Sequence, residues 1–148
     1  MMSNILLKKG ITGFYKQGET LDEIGAAYFK KACYSAQTSD FSVYKITDAV
    51  NTSYYEASYK TGEGRMIYVV MNKYYPYIAF VNELYTPDKI FGDLENERFT
   101  AFGYTVLKAD VLNAPFEYDD HELSTCELDQ IDYWKPKNIG SIIFNEWD

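Results

Sequence analysis

Apolar residues recur at helical spacing in the first part of the chain and alternate with polar residues from about residue 40 onward. The helical pattern consists of Leu21, Ile24, Tyr28 and Ala32. It begins beside Thr20, and Glu23 follows three positions later, which is the spacing of a capping box. The sequence therefore predicts an amphipathic helix of about fifteen residues that starts near Thr20 and packs by one face.

Four segments after residue 40 are rich in aromatic and β-branched residues and are separated by turn-forming residues. They are residues 41–47, 53–60, 65–72 and 77–84. Together they predict four strands of a meander, with Thr61-Gly62-Glu63-Gly64 as a tight hairpin between the second and third. Residues 66–71 are almost entirely apolar, so we expect this strand at the centre of the sheet with both faces covered.

Three further segments are less regular. Residues 5–14 are interrupted by two glycines and fit either a short strand or an irregular arm. Residues 85–97 contain proline, glycine and several charges and predict an exposed connection with a turn of helix. Residues 99–107 predict a fifth strand. One side of this strand would carry Phe102, Tyr104 and Val106.

The C-terminal part of the chain predicts one or two helices. Leu123, Leu128 and Ile131 have the spacing of a loose amphipathic helix that docks on the core. Ser124 and Thr125 are candidate N-caps, with Glu127 or Leu128 in the first turn. The tail predicts a second helix after Pro136, with a last strand over residues 139–145 as the alternative.

These elements define the fold class. We expect an α+β fold with a single antiparallel sheet of about five strands in meander order, packed by an N-terminal helix and one or two C-terminal helices. No repeat, low-complexity segment or linker divides the chain, so residues 1–148 are predicted to form one domain. Tyr-rich edge strands are compatible with a monomer or with a homodimer formed by sheet pairing.

Charge is concentrated at one end of the sequence. Residues 117–132 contain seven carboxylates and no Lys or Arg. Residues 110–148 carry ten acidic and two basic residues, whereas the first 109 residues carry twelve of each. The whole formal net charge of −8 therefore lies in the last quarter of the chain.

The residues that usually perform catalysis or bind metals are scarce. His121 is the only histidine, and a neighbouring carboxylate would favour its protonated form, which cannot act as a base. Cys33 and Cys126 are too few for a zinc site or a disulfide framework. Asp119, Asp120 and Glu122 lack the glycine and closing glutamate of a calcium loop. The sequence predicts no catalytic residue, no cofactor and no metal.

The same composition limits the partners. A formal charge of −8 disfavours direct binding of nucleic acid, which depends on Lys and Arg. No apolar run is long enough for a membrane span or a signal-peptide core, so we expect a cytoplasmic protein that binds no membrane.

An acidic cluster edged by aromatic residues suits a basic protein partner, because the acids steer association and the aromatics anchor the complex. The alternative is that these acids only form a solvated helix face. The predicted partner-binding residues are Glu117, Tyr118, Asp119, Asp120, Glu122, Glu127, Asp129, Asp132, Tyr133 and Trp134.

The C-terminal stretch W-K-P-K-N-I-G-S-I-I-F-N-E-W-D, residues 134–148, resembles the ends of small Gram-positive bacterial immunity proteins that accompany toxins. This resemblance implies a cytoplasmic antitoxin that covers the active site of a toxin, often a nuclease, with carboxylates in place of substrate phosphates. Two other classes stay open. One is a small enzyme or carbohydrate-binding domain that uses the Tyr residues of the sheet, and the other is a structural protein of a phage or mobile element.

Overall fold

A computed structural model describes residues 6–47, 51–83, 90–93, 97–117 and 121–147. The helices in these ranges are α1 (Ala26–Ser35), α2 (Glu97–Ala101), α3 (Ala109–Leu112), α4 (Thr125–Trp134) and α5 (Gly140–Ile143). The strands are β1 (Phe41–Thr47), β2 (Tyr54–Thr61), β3 (Met66–Asn72), β4 (Tyr77–Glu83), β5 (Ile90–Gly92) and β6 (Thr105–Val106).

The strands form one sheet in the order β1-β2-β3-β4-β5, with antiparallel neighbours. Ile78 of β4 lies opposite Met71 of β3 and also opposite Val106 of β6, which runs parallel to β4. Since β5 also pairs with β4 on the side away from β3, β5 and β6 occupy the same side of β4. The predicted α+β fold with one meander sheet is confirmed, and the described bounds of the four main strands lie within one residue of the predicted ones. Leu84, the last predicted residue of the fourth strand, is outside the described residues.

β3 is the central strand, as predicted, and both of its faces are covered. Val69, Val70 and Met71 are completely buried. Val69 and Met71 belong to a core shared with α1 and α2, whereas Val70 belongs to a second core shared with the N-terminal arm and the C-terminal helices. The sheet is therefore the middle layer of three.

The face covered by α1 depends on aromatic packing. Tyr55, Ala57 and Tyr59 of β2 point to this side together, as their alternation predicts. The Tyr59 ring stacks on Phe41 at a centroid distance of 4.0 Å, and its hydroxyl donates a hydrogen bond of 2.6 Å to the backbone oxygen of Cys33. This contact joins the end of α1 to the sheet.

The start predicted for the first helix is wrong. α1 begins at Ala26, because Gly25 has a φ of 108°, which is outside the helical region. Immediately before it, the backbone N–H of Ile24 donates to the backbone oxygen of Lys73 at 2.7 Å. This long-range contact keeps the segment extended. Glu23 does not cap the helix, and its carboxylate lies 3.9 Å from the Lys73 ammonium.

The predicted fifth strand over residues 99–107 is also wrong for most of its length. Its first part belongs to α2, Gly103 makes a turn with a φ of 102°, and only β6 is extended. The fifth strand of the sheet is β5, which lies in the segment predicted as an exposed connection. Phe102, Tyr104 and Val106 were predicted on one side, and all three contact the core under α1.

The two ends of the chain meet at one end of the sheet. Residues 6–14 form turns without a helix or strand, which is the irregular arm of the two predicted alternatives. In the tail the predicted helix is limited to the single turn of α5. Asn145 beyond it pairs with Ser53, because the Ser53 N–H donates to the Asn145 backbone oxygen at 3.0 Å and the Asn145 N–H to Ser53 Oγ at 2.9 Å.

Candidate protein-binding face

Helix α4 carries much of the acidic segment and begins with one of the two predicted N-cap candidates. Ser124 is its N-cap residue, and the Ser124 N–H donates to Glu127 Oε1 at 3.1 Å, which is the glutamate half of a capping box. The helix ends at Lys135, which has a left-handed φ of 50°. Residues close in sequence therefore determine where this helix begins.

Glu127 does not belong to the exposed acidic face, and its prediction as a partner-binding residue is wrong. Its side chain is 0% exposed. Glu127 Oε1 accepts the Gly10 N–H at 2.8 Å, and Oε2 accepts the N–H and the hydroxyl of Thr12 at 3.1 and 2.6 Å. The carboxylate is stabilised by these donors, as a buried charge must be. Glu127 therefore fastens α4 to the N-terminal arm.

Apolar contacts hold the same helix. Leu123 and Ile131 are buried in the core, and Leu128 packs against it, as their spacing predicts. Just before the helix, the Glu122 N–H donates to the Leu7 backbone oxygen at 2.8 Å. α4 is therefore docked along its length, and this packing holds the backbone that carries its outer side chains.

The outer side of α4 presents acids next to an aromatic ring. Asp129, Asp132 and Tyr133 are exposed at positions i, i+3 and i+4, which share one helix face. Tyr133 is 76% exposed, the highest value among the large hydrophobic residues that the structure describes. Glu117 and Glu122 are exposed in the segment that leads to the helix. Tyr118, Asp119 and Asp120 lie outside the described residues.

An aromatic row borders these acids. Tyr133 meets Trp134 edge to face at 5.1 Å, and Trp134 lies nearly parallel to Trp147, with ring centroids 6.3 Å apart and planes inclined by 2°. Phe14 of the N-terminal arm follows at 6.4 Å from Trp147. Trp134 Nε1 donates to Gln130 Oε1 at 3.0 Å, which orients an indole that is 41% exposed.

Trp147 and Phe14 were not predicted as site residues. Trp147 is partly buried against the core and lies beside Trp134. The exposed predicted residues of α4 are Asp129, Asp132, Tyr133 and Trp134, and we call this set the acidic-aromatic face.

Ionisable groups near the arm show shifts with clear causes. Burial raises the pKa of Tyr75, and the nearby Glu127 carboxylate raises it further. The ion pair between Lys9 and Glu19, 2.9 Å long, raises the pKa of the lysine and lowers that of the glutamate, in each case chiefly through their hydrogen bond. His121 makes a local hydrogen bond, in which its Nδ1 accepts the Leu123 N–H at 3.0 Å.

Two concave regions lie outside the acidic-aromatic face. A groove of about 540 Å³ at the hairpin after β2 is lined by Asp40, Glu63 and Arg65. A smaller cleft of about 320 Å³ lies between the N-terminal arm and the segment after α3, with Val111, Phe116 and Glu117 among its walls. Within the described ranges, no three His, Cys, Asp or Glu side chains come together as they would around a metal ion.

No protein-family model, curated protein or solved structure matches this chain. In the described part of the chain, no helix combines the length and the apolar composition that crossing a membrane requires. The function of the protein therefore has to be inferred from its own residues.

Proposed function

We propose that this protein binds a basic protein partner through the acidic-aromatic face, and that it acts as a cytoplasmic immunity protein against a toxin. The observation that carries the proposal is the outer side of α4, where Asp129 and Asp132 lie beside the highly exposed ring of Tyr133. Solubility alone would be served by the acids without the exposed rings of Tyr133 and Trp134 beside them.

The two kinds of side chain contribute differently to binding. Exposed carboxylates attract a cationic surface over several ångströms and accelerate association. Tyrosine and tryptophan supply contact area that excludes water at the centre of an interface, at a low cost in conformational entropy. The face combines both on one docked helix, so few backbone degrees of freedom are lost when a partner binds.

The excess of acidic residues favours a partner with a cationic surface, such as a protein that binds phosphates. A nuclease presents a cationic cleft to its substrate, and exposed carboxylates of Glu117, Glu122, Asp129 and Asp132 match such a surface in sign. Glu127 supports the proposal indirectly, because it fixes the helix that carries Asp129 and Asp132. The likeness of the tail to immunity proteins points to the same function.

The test uses the protein encoded beside this chain in its source genome. That neighbour is expressed alone and with the wild-type chain, and purified samples are mixed to measure the association rate at low and high salt. We expect a toxic neighbour whose toxicity the wild-type chain relieves. The variant Asp129→Lys/Asp132→Lys should associate at least about tenfold more slowly at low salt, with a smaller difference at high salt.

The control reverses two charges at the other end of the sheet. Asp40→Lys/Glu63→Lys changes the net charge equally, but both positions lie at the hairpin after β2, away from the strand ends that contact the arm and tail. This variant should retain most of the wild-type rate. If the α4 variant associates as fast as the control, the acidic-aromatic face is not the interface; a neighbour that neither harms cells nor binds would exclude the immunity function.

A further inference from the structure

The smaller cleft has walls that are held in place before any ligand arrives. It lies between Leu6 of the N-terminal arm, Val111 of α3, Ala114 and Phe116 of the next segment, and Ile139 before α5. The Ile139 N–H donates to the Ala114 backbone oxygen at 2.9 Å, which joins two of these walls. The cleft is therefore preformed, as small-molecule and side-chain pockets usually are.

The smaller cleft is lined by apolar residues inside and has an acidic residue at its opening. Val111 is 43% exposed although it is a large aliphatic residue, and Phe116 and Ile139 are partly buried beside it. Among the described residues of the lining, the one charged residue is Glu117, whose side chain is exposed. Lys8, which follows Leu7 in the arm, has a cation–π contact of its own, because its ammonium lies 5.8 Å from the centre of the Tyr75 ring.

The volume limits what can enter. A cleft of about 320 Å³ is at the lower end of the range for ligand sites, so one large side chain fits and an extended ligand does not. The acidic mouth favours a cation next to the apolar group, and residues 110–148 carry a net charge of −8 that disfavours any anion.

We propose that this cleft is the anchor site for a protein partner that inserts one aliphatic or aromatic side chain and places an adjacent Lys or Arg against Glu117. The proposal rests on the proposed function and narrows it, since it specifies a hydrophobic residue beside a basic one in the partner. Buried apolar anchors of this kind usually dominate the free energy of an interface, whereas rim charges mainly set the association rate.

The first test uses small probes on the full chain. Phenethylammonium, 2-phenylethanol and 3-phenylpropionate share a phenyl ring and differ in charge, and each is titrated at low ionic strength while methyl resonances are followed by NMR. We expect shifts at the methyl groups of Leu6, Val111, Ala114 and Ile139. The cation should bind about two- to fivefold more tightly than the alcohol, the contribution of one exposed ion pair, and the anion most weakly.

Two variants separate the charge from the cavity. Glu117→Gln should abolish the preference for the cation and leave binding of the alcohol unchanged, whereas Glu63→Gln at the distant hairpin should change neither. Ala114→Leu should fill the cleft and abolish binding of all three probes; if it fails to fold, Glu117→Gln still decides the question. Absence of shifts in the cleft, or an anion that binds as tightly as the cation, would overturn the proposal.

Failure of this inference can be distinguished from failure of the proposed function. With the toxic neighbour as partner, Ala114→Leu should speed dissociation at least about tenfold and leave association nearly unchanged, because anchors act mainly on the dissociation rate. A wild-type dissociation rate for Ala114→Leu would exclude the cleft as the anchor while the immunity function stands. If the neighbour does not bind at all, the proposed function fails instead.

Discussion

Glu127 and Thr12 are 115 residues apart in the sequence, and one carboxylate oxygen of Glu127 accepts both the N–H and the hydroxyl of Thr12, at 3.1 and 2.6 Å. The other oxygen accepts Gly10 at 2.8 Å and the Ser124 N–H at 3.1 Å. A single buried charge thus joins the N-terminal arm to the start of the helix that carries the acidic-aromatic face.

Replacing this carboxylate by its neutral isostere should be costly. In Glu127→Gln an NH₂ group takes the place of one acceptor oxygen and faces backbone and hydroxyl donors. The variant loses charge-assisted hydrogen bonds and leaves buried donors without an acceptor. Its free energy of unfolding should therefore be lower by about 3 kcal/mol. Urea denaturation followed by circular dichroism measures the change.

The matched control for this variant is Asp129→Asn, which removes one carboxylate from the same helix at an exposed position. Its free energy of unfolding should stay within about 0.5 kcal/mol of the wild-type value. Equal stability of the two variants would show that the contacts between Glu127 and the arm contribute nothing to folding.

Gly140 tests how tightly the tail packs on β5. A Cβ built at Gly140 would overlap the ring of Phe91, which is itself buried. Gly140→Ala should therefore lower the free energy of unfolding by about 1–3 kcal/mol through overpacking. At Gly62 the new Cβ would meet the exposed Asp40 side chain, closest at Oδ1, and this side chain can move into solvent. Gly62→Ala should therefore cost less than about 0.5 kcal/mol.

A double variant identifies the source of the strain. Phe91→Leu removes the ring that the new methyl group would strike, so Gly140→Ala should cost less in that background than in the wild type. Thermal or urea unfolding of the four proteins in the cycle gives the coupling free energy. Strictly additive costs would mean that the tail avoids Phe91 by moving as a whole.

The strands could be predicted because their information is local. Alternation of side chains in residues 41–72 reports the two faces of a strand, and the hairpin at Gly62 and Gly64 follows from turn chemistry. The start of α4 was also predictable, since Ser124 and Glu127 are only three residues apart. In these segments each short stretch contains the interactions that shape it.

The predictions were wrong where residues distant in sequence determine the local structure. Thr20 and Glu23 have capping-box spacing, yet a backbone hydrogen bond from Ile24 to Lys73 keeps the segment extended and delays α1. Likewise, nothing near Glu127 in the sequence distinguishes it from the exposed Asp129. Its burial depends on Gly10 and Thr12, whose position becomes known only when the fold is complete.

Stability should fall at alkaline pH because buried acids hold their protons in the folded state. Burial raises the pKa of the Cys33 thiol from 9.0 to about 12, and it also raises the pKa values of Tyr59 and Tyr104 above their ordinary 10.0. In the unfolded chain these groups ionise near their ordinary values. As pH rises above about 9, the unfolded state loses protons that the folded state keeps, so unfolding becomes more favourable.

Urea midpoints measured from neutral pH to about pH 11 test this dependence. The midpoint should be constant below about pH 9 and decline above it. The variant Tyr59→Phe/Tyr104→Phe, which cannot ionise at these two positions, should decline less steeply from its own neutral value. A wild-type midpoint that stays constant throughout would contradict the raised pKa values.

Tyr104 and Tyr59 are both buried phenols, but their hydroxyl groups differ in hydrogen bonding. Tyr59 donates to the Cys33 backbone oxygen at 2.6 Å, whereas the Tyr104 hydroxyl has no hydrogen-bond partner among the described residues. Removing a buried, unsatisfied hydroxyl also removes its desolvation cost. Tyr104→Phe should therefore leave the free energy of unfolding unchanged or raise it by up to about 1 kcal/mol, whereas Tyr59→Phe should lower it by about 1–2 kcal/mol.

Urea denaturation of the two single variants at neutral pH measures the difference directly. Both substitutions delete one oxygen from a buried ring and leave the aromatic contacts of that ring in place, including those of Tyr104 with Tyr28 and Phe102. Packing losses should therefore be small in both variants, and hydrogen bonding should account for the contrast. If Tyr104→Phe is as destabilised as Tyr59→Phe, then the Tyr104 hydroxyl has a partner in solution, and a bound water would be the first candidate.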